Sequence, residues 1–333
     1  MSSGLIWITL IVITALIFDF INGYNDSANA IATTVTTQAL NPRQAVLLAA
    51  VLDFAGALTS TSVAATIGKG LADPALLTLQ VVGAALAGAV LWNLFTGYVG
   101  IPSSSSHALI GGIAGGVAAA NGLSALHWQG FAKVLAALIL SPLLGMSIGF
   151  LLMVTLLWLF RRTSPVRGNV LFRRLQILSA GLTAFSHGTN DAQKSMGIIT
   201  MALVSGGFIN TFEVPFWVIL LCATAISLGT FKGGWRIVRT VGKKITRVEP
   251  MNGFASNLTS SLVIMGATYL GVPVSTTHVV SSAVMGSGTA RRSRGVNWGI
   301  ARRIVLAWVV TIPVSAVVAM ISFKLINLTG RLF

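Results

Sequence analysis

Long apolar runs follow one another through this chain: Leu5 to Phe20, Gln44 to about Ile67, Leu76 to Val99, Val134 to Phe160, Val214 to Phe231 and Ile304 to Ile326. A backbone in hydrocarbon must satisfy every N–H and C=O internally, so only helices and closed barrels cross a bilayer. The runs are continuous rather than alternating, which selects helices. Composition agrees: 9% of residues are charged, against about 25% in soluble domains. The expectation is an all-α polytopic membrane protein in contact with the lipid bilayer. Leu5–Phe20 has no basic region before it and no small-residue cleavage site after it, so it reads as a retained helix. The net charge of +15 would suggest nucleic acid in a soluble protein. Here the basic residues cluster between apolar runs, the positive-inside pattern, and no nucleic-acid partner is expected. Cys222 stands alone in an apolar run and offers neither a disulfide framework nor a metal cluster.

Two polar stretches interrupt this pattern, and each occurs twice. Gly23-Tyr-Asn-Asp-Ser-Ala-Asn-Ala30 is echoed by Gly188-Thr-Asn-Asp-Ala-Gln-Lys-Ser195. Pro102-Ser-Ser-Ser-Ser-His107 is echoed by Pro273-Val-Ser-Thr-Thr-His278. Asp26 and Asp191 are 165 residues apart, Pro102 and Pro273 171 apart. Two motifs in the same order at nearly one offset indicate an internal repeat. An ionisable group at membrane depth is costly, by about 2.5–3.5 kcal/mol on insertion scales, and is functional by default.

The basic stretches orient the repeats. Placing Arg161–Arg174, Lys232–Arg247 and Arg291–Arg303 on the cytoplasmic side requires two crossings between the first pair and a hairpin between the second. Working backward puts Arg43 inside and both termini outside. The halves, residues 1–160 and 175–333 joined by a basic cytoplasmic linker at 161–174, are then inverted-topology repeats. Such repeats mark secondary transporters, with a site near the midplane built from broken helices. The first motif is expected to break the crossing Leu5–Leu40, the second the crossing Leu175–Val204. Two helical hairpins, with tips at the Pro-Ser/Thr-His motifs, are expected to meet near the midplane.

The chemistry follows from the residue types. Pro favours the first turn of a helix, and Ser and Thr cap helix starts. Ser103, Ser104, Ser105 and Ser106, and Ser275, Thr276 and Thr277, therefore open helices whose N-termini suit an anion. A carboxylate does not attract an anion; it binds Na⁺ or carries a proton. Asp26 and Asp191, with Asn25 and Asn190 as further hard ligands, are the expected coupling-ion site for Na⁺ or H⁺. No other cofactor is expected. Gln193 faces Ala28 and Lys194 faces Asn29 in the first copy; both join the expected anion ligands, with neutralisation of Asp191 the alternative role for Lys194. His187, beside the second motif, faces Asn22 in the first. His107 and His278 read as packing donors, with proton carriage the alternative, His127 as a loop residue, and Asp19 and Asp53 as secondary candidates for cation ligands or helix pairs.

Both motif copies resemble the duplicated signature of the inorganic phosphate transporter (PiT) family, and the Ser/Thr tips resemble its hairpin tips. The resemblance covers nearly the whole chain, and the short Arg161–Arg174 link matches the compact prokaryotic type. It implies phosphate import by symport with Na⁺ or H⁺, location in the cell inner membrane, and a homodimer. The family also includes sulfate permeases, so a sulfate or related oxyanion symporter is the alternative. No enzyme is expected: an intramembrane serine protease needs one exposed nucleophile, whereas the Ser–His clusters here are duplicated.

Overall fold

The computed structural model describes residues 2–70, 76–291 and 295–330. Within them the chain is helical: α1 (Ser2–Thr36), α2 (Pro42–Ala57), α3 (Ser62–Gly70), α4 (Leu79–Val99), α5 (Ser105–Asn121), α6 (Trp128–Leu159), α7 (Pro165–Ser205), α8 (Phe216–Lys232), α9 (Trp235–Arg239, extended by a π turn over Thr240–Lys244), α10 (Pro250–Tyr269), α11 (Thr276–Arg291) and α12 (Trp298–Gly330). α1, α4, α6 and α12 are each long and apolar enough to cross a membrane alone. The outer faces of α6 and α12 present Ile139, Leu143, Leu151, Val309, Val317 and Ile321. Exposed aliphatic rows of this kind suit lipid tails. The all-α membrane architecture is as expected.

Three local expectations are corrected. The motifs do not break their helices: α1 runs unbroken through Gly23–Ala30 and α7 through Gly188–Ser195. Their glycines serve close packing instead. A Cβ at Gly23 would strike the Ile226 carbonyl on α8, and one at Gly188 the Asp53 carbonyl on α2. The breaks lie elsewhere. The run Gln44–Ile67 is a bent pair, α2 and α3 meeting at 71°, and α8 meets α9 at 56°. Each bend exposes N–H groups that a motif helix satisfies. Gln193 Oε1 accepts from Val63 N at 2.7 Å and Ala64 N at 3.2 Å, and Ser27 Oγ accepts from Gly234 N at 2.8 Å. Finally, most of the basic stretch 161–174 is helix, because Pro165 opens α7.

The hairpins α4–α5 and α10–α11 form as the sequence suggests. Both turn on glycines in the left-handed region, Gly100 at φ 76° and Gly271 at φ 67°. The motif helices lie at the centre. On α7, Ser186 to Leu203 is buried without exception. A helix polar on several faces can sit at membrane depth only when protein encloses it. α1 and α7 run antiparallel, since Asn22 meets Asp191, Asp26 faces His187, and Thr37 meets Gln176. α1 runs parallel to α8, with Gly23 at Ile226 and Ser27 at Gly234. α2 runs likewise along α7, with Leu52 at Gly181 and Gly56 at Phe185.

Candidate cation and oxyanion site

The antiparallel crossing of α1 and α7 brings the two motif carboxylates together. Asp26, Asp191 and His187 are all buried and each offers a ligand atom within 4.8 Å of the others. His187 Nε2 lies 3.5 Å from Asp191 Oδ2 and 3.9 Å from Asp26 Oδ2. Its other ring nitrogen, Nδ1, donates to Asp53 Oδ1 at 2.7 Å, and Thr230 Oγ1 donates to Asp53 Oδ2 at 2.5 Å. Asp53 thus fixes the ring orientation, as a carboxylate behind a histidine does in many ion sites. With Nδ1 committed, Nε2 faces two carboxylates. That position calls for positive charge, either a proton on the ring or a cation held among the three groups.

The second hairpin tip closes over this cluster. Thr277 Oγ1 donates to Asp26 Oδ1 at 2.7 Å. Thr276 Oγ1 lies within 3.3 Å of Asp26 Oδ2 and 3.2 Å of Asp191 Oδ2, bridging them. Asn22 Nδ2 donates to Asp191 Oδ2 at 3.2 Å, and Asn29 Nδ2 to Thr277 Oγ1 at 3.4 Å. The first tip abuts the second: Ser106 Oγ donates to Val274 O at 2.8 Å, and the His107 and His278 rings stand 4.4 Å apart. His278 stacks on Trp308 at 3.8 Å, and Trp308 Nε1 donates to Pro102 O at 3.2 Å. The N-terminus of α11 therefore sits on the carboxylates, and that of α5 abuts it.

The expected site residues differ in what they touch. Thr276 and Thr277 touch the carboxylates directly. Ser104 and Ser275 are caps, accepting from His107 N at 3.1 Å and His278 N at 3.2 Å, and Ser103 pairs with Thr96 at 2.6 Å. Ser105 is buried in the first turn of α5. The two motif asparagines turn away from the carboxylates and hold the hairpins. Asn25 Nδ2 donates to Asn93 O on α4 at 2.9 Å, and Asn190 Nδ2 to Thr268 Oγ1 on α10 at 2.8 Å. Gln193 caps α3 and sends its Nε2 to Thr189 O at 2.6 Å, so both ends of its amide are engaged. Lys194 is fully buried with Nζ 2.8 Å from Asp191 Oδ1. His187 proves central. Thr230 and Asn22 are contributors that the sequence reading misses; the only signal for Asn22 is that the repeat offset places it opposite His187.

Two clefts approach the tips. One, of about 430 Å³, is lined by Tyr24, Asn25, Asn93, Gly97, Lys232 and Arg236. The other, of about 630 Å³, is lined by Thr66, His127, Lys133, Gly271, Val272 and Pro273. The first reaches Asn25 and the hairpin α4–α5, the second the tip of α10–α11. Each carries Lys or Arg, suited to guiding an anion.

Comparison with known proteins agrees with this geometry. A model described as the phosphate transporter family matches the chain twice, at residues 22–169 and 160–319. The chain is 51% identical over 329 residues to a Bacillus subtilis (strain 168) protein named "Probable low-affinity inorganic phosphate transporter", covering 97% of this chain and 98% of the other. It is 47% identical to a protein of the same name from Rhizobium meliloti (strain 1021), covering 94% of each. A solved structure titled "The sodium-dependent phosphate transporter" matches with a TM-score of 0.86 at 29% identity, over 97% of this chain and 99% of that one. With both halves matched and the polar cluster at their crossing, the chain belongs to the phosphate transporter family.

Proposed function

We propose that this chain imports inorganic phosphate by symport with Na⁺ or H⁺, as a multi-pass protein of the cell inner membrane. The observation that carries the reading is the α11 N-terminus seated on a carboxylate pair backed by His187, with the α5 N-terminus abutting it. The N-termini and their hydroxyls suit an oxyanion; Asp26, Asp191 and His187 suit the cation or proton that accompanies it. Thr276 and Thr277 tie the two parts together, so a cation arriving at the carboxylates changes the hydrogen bonding of the tip. This also favours phosphate over sulfate. Phosphate still carries a proton near neutral pH and needs acceptors, and the carboxylates lie one hydrogen bond from the tip.

The halves 1–160 and 175–333 act as inverted repeats. The antiparallel crossing of α1 and α7 at equivalent motif positions supports this, as does the double family match. Both termini lie outside, and the working unit is a homodimer in the bilayer. The solved relative's title names sodium, which makes Na⁺ the first ion to test. Labelled phosphate uptake into proteoliposomes, with Na⁺ and proton gradients imposed separately and excess sulfate present, tests the reading. Uptake driven by one gradient and indifferent to sulfate is expected. Uptake insensitive to both gradients, or abolished by sulfate, overturns it.

A further inference from the structure

Asp19 is a buried carboxylate that the site above does not use. It is fully buried, with the Ser195 hydroxyl and the Cys222 thiol as its hydrogen-bonding neighbours and no ion pair of its own among the described residues. Its place follows from the crossing of α1 and α7. Asn22 meets Asp191, so residue 19, one turn earlier on α1, lies beside residues 194 and 195 one turn later on α7. Ser195 and, across on α8, Cys222 are its polar neighbours, and Lys194 is among the charges acting on it. Lys194 is itself fully buried, and its ammonium holds Asp191 Oδ1 at 2.8 Å while making no hydrogen bond elsewhere among the described residues.

One ammonium thus pairs with Asp191, while the crossing sets a second carboxylate, Asp19, about one helical turn away with no ion pair of its own among the described residues. The engaged carboxylate, Asp191, belongs to the cluster read above as the coupling-ion site. A cation entering that cluster neutralises Asp191 and repels the ammonium. The flexible four-carbon stem of lysine lets its charge move without backbone change. Asp19, with Ser195 beside it, is the seat that lacks a counter-ion. The arrangement occurs once: at the positions related by the 165-residue offset, Ala184 replaces Asp19 and Asn29 replaces Lys194.

We propose that Asp19 is the alternate counter-ion of Lys194: when the coupling cation occupies the Asp26–Asp191 pair, the Lys194 ammonium leaves Asp191 and pairs with Asp19. Lys194 is then a tethered cation competing for Asp191, and Asp19 is a positioning residue that sets how readily it yields. The inference rests on reading Asp26 and Asp191 as the cation site.

The test is a double-mutant cycle on the half-saturating cation concentration. Wild type, D19N, D19E, K194M and D19N/K194M are titrated with NaCl at fixed pH, or with protons in sodium-free buffer if Na⁺ gives no response. Phosphate uptake is the readout, and thermal stabilisation of the purified protein by the cation replaces it for any variant that does not transport. D19N is expected to raise half-saturation about tenfold, within the usual range of site coupling. K194M is expected to lower it below wild type, and D19N/K194M to match K194M. D19E should stay near wild type. Unchanged half-saturation in D19N, or the same D19N factor with and without Lys194, overturns the proposal. If D19N is not recovered as a monodisperse protein, K194M decides alone, and half-saturation no lower than wild type overturns it. D26N runs alongside: cation-driven uptake by D26N would bring down the site reading and this inference with it, whereas inactive D26N with silent D19N would bring down this inference only.

Discussion

At the residue scale, the division of labour between carboxylates and hydroxyls makes a separable prediction. Asp26 and Asp191 share one threonine hydroxyl and one imidazole, so each carries part of a common charge site. Asp26→Asn and Asp191→Asn keep the shape of the side chain and remove its charge. Each should reduce gradient-driven phosphate uptake to that of empty liposomes while the protein still inserts and elutes as a single species. Wild-type transport by either would remove the centre of the proposed mechanism. Thr276→Ala removes a hydrogen bond to a charged partner, about 1.5–3 kcal/mol, and should raise the KM for phosphate about 10- to 100-fold with coupling retained. An unchanged KM would place the anion away from the second tip. Asp53 belongs to the same scale but acts through His187, which it orients from α2.

At the element scale, the glycines decide how closely the central helices meet. Gly23 on α1 and Gly229 on α8 face each other's backbones, as do Gly188 on α7 and Gly56 on α2. Gly229→Val would drive its side chain into the Phe20 carbonyl, one turn from Gly23. Overpacking of this kind costs about 1–3 kcal/mol, and because α1 carries Asp26 the strain should appear as lower thermal stability together with weaker cation dependence. Equal loss at an exposed lipid-facing control such as Leu151→Gly would argue against a specific contact. These same glycines show where sequence reading stops. A glycine that lets a helix break and one that lets a neighbour approach look alike in a single chain, because the deciding atom belongs to another helix. Hydropathy makes Asp19 and Asp53 visible as ionisable groups in apolar runs, and the offset exposes the motif pairing. Thr230 gives no signal, since threonine is ordinary in membrane helices. Asn25 and Asn190 read naturally with the carboxylates beside them, although successive residues on a helix point about 100° apart and these two reach the hairpins instead.

At the scale of the whole molecule, the proposed inversion of the repeats has a consequence that no single residue carries. α1 and α7 begin their halves, occupy equivalent motif positions and cross antiparallel. If their halves are inverted, the chain leaves α1 on one side of the membrane and α7 on the other. Arg43, exposed just after α1, and Asn210, exposed just after α7, report those sides. Arg43→Cys and Asn210→Cys can be made in the native background because Cys222 is fully buried and should stay silent to a membrane-impermeant maleimide. In intact cells the Asn210→Cys variant should label and the Arg43→Cys variant should not; in inside-out vesicles the pattern should reverse. Labelling of both from one side would mean parallel repeats, and the two helix N-termini would then have to be opposed by some arrangement other than a two-fold axis in the membrane plane. Labelling from opposite sides leaves the carboxylate pair at the axis, with one basic cleft opening past Asn25 and the other past the tip of α10–α11. In the proposed mechanism the two hairpins would then act as the gates, and exchanging which hairpin yields would alternate access to the one ion cluster.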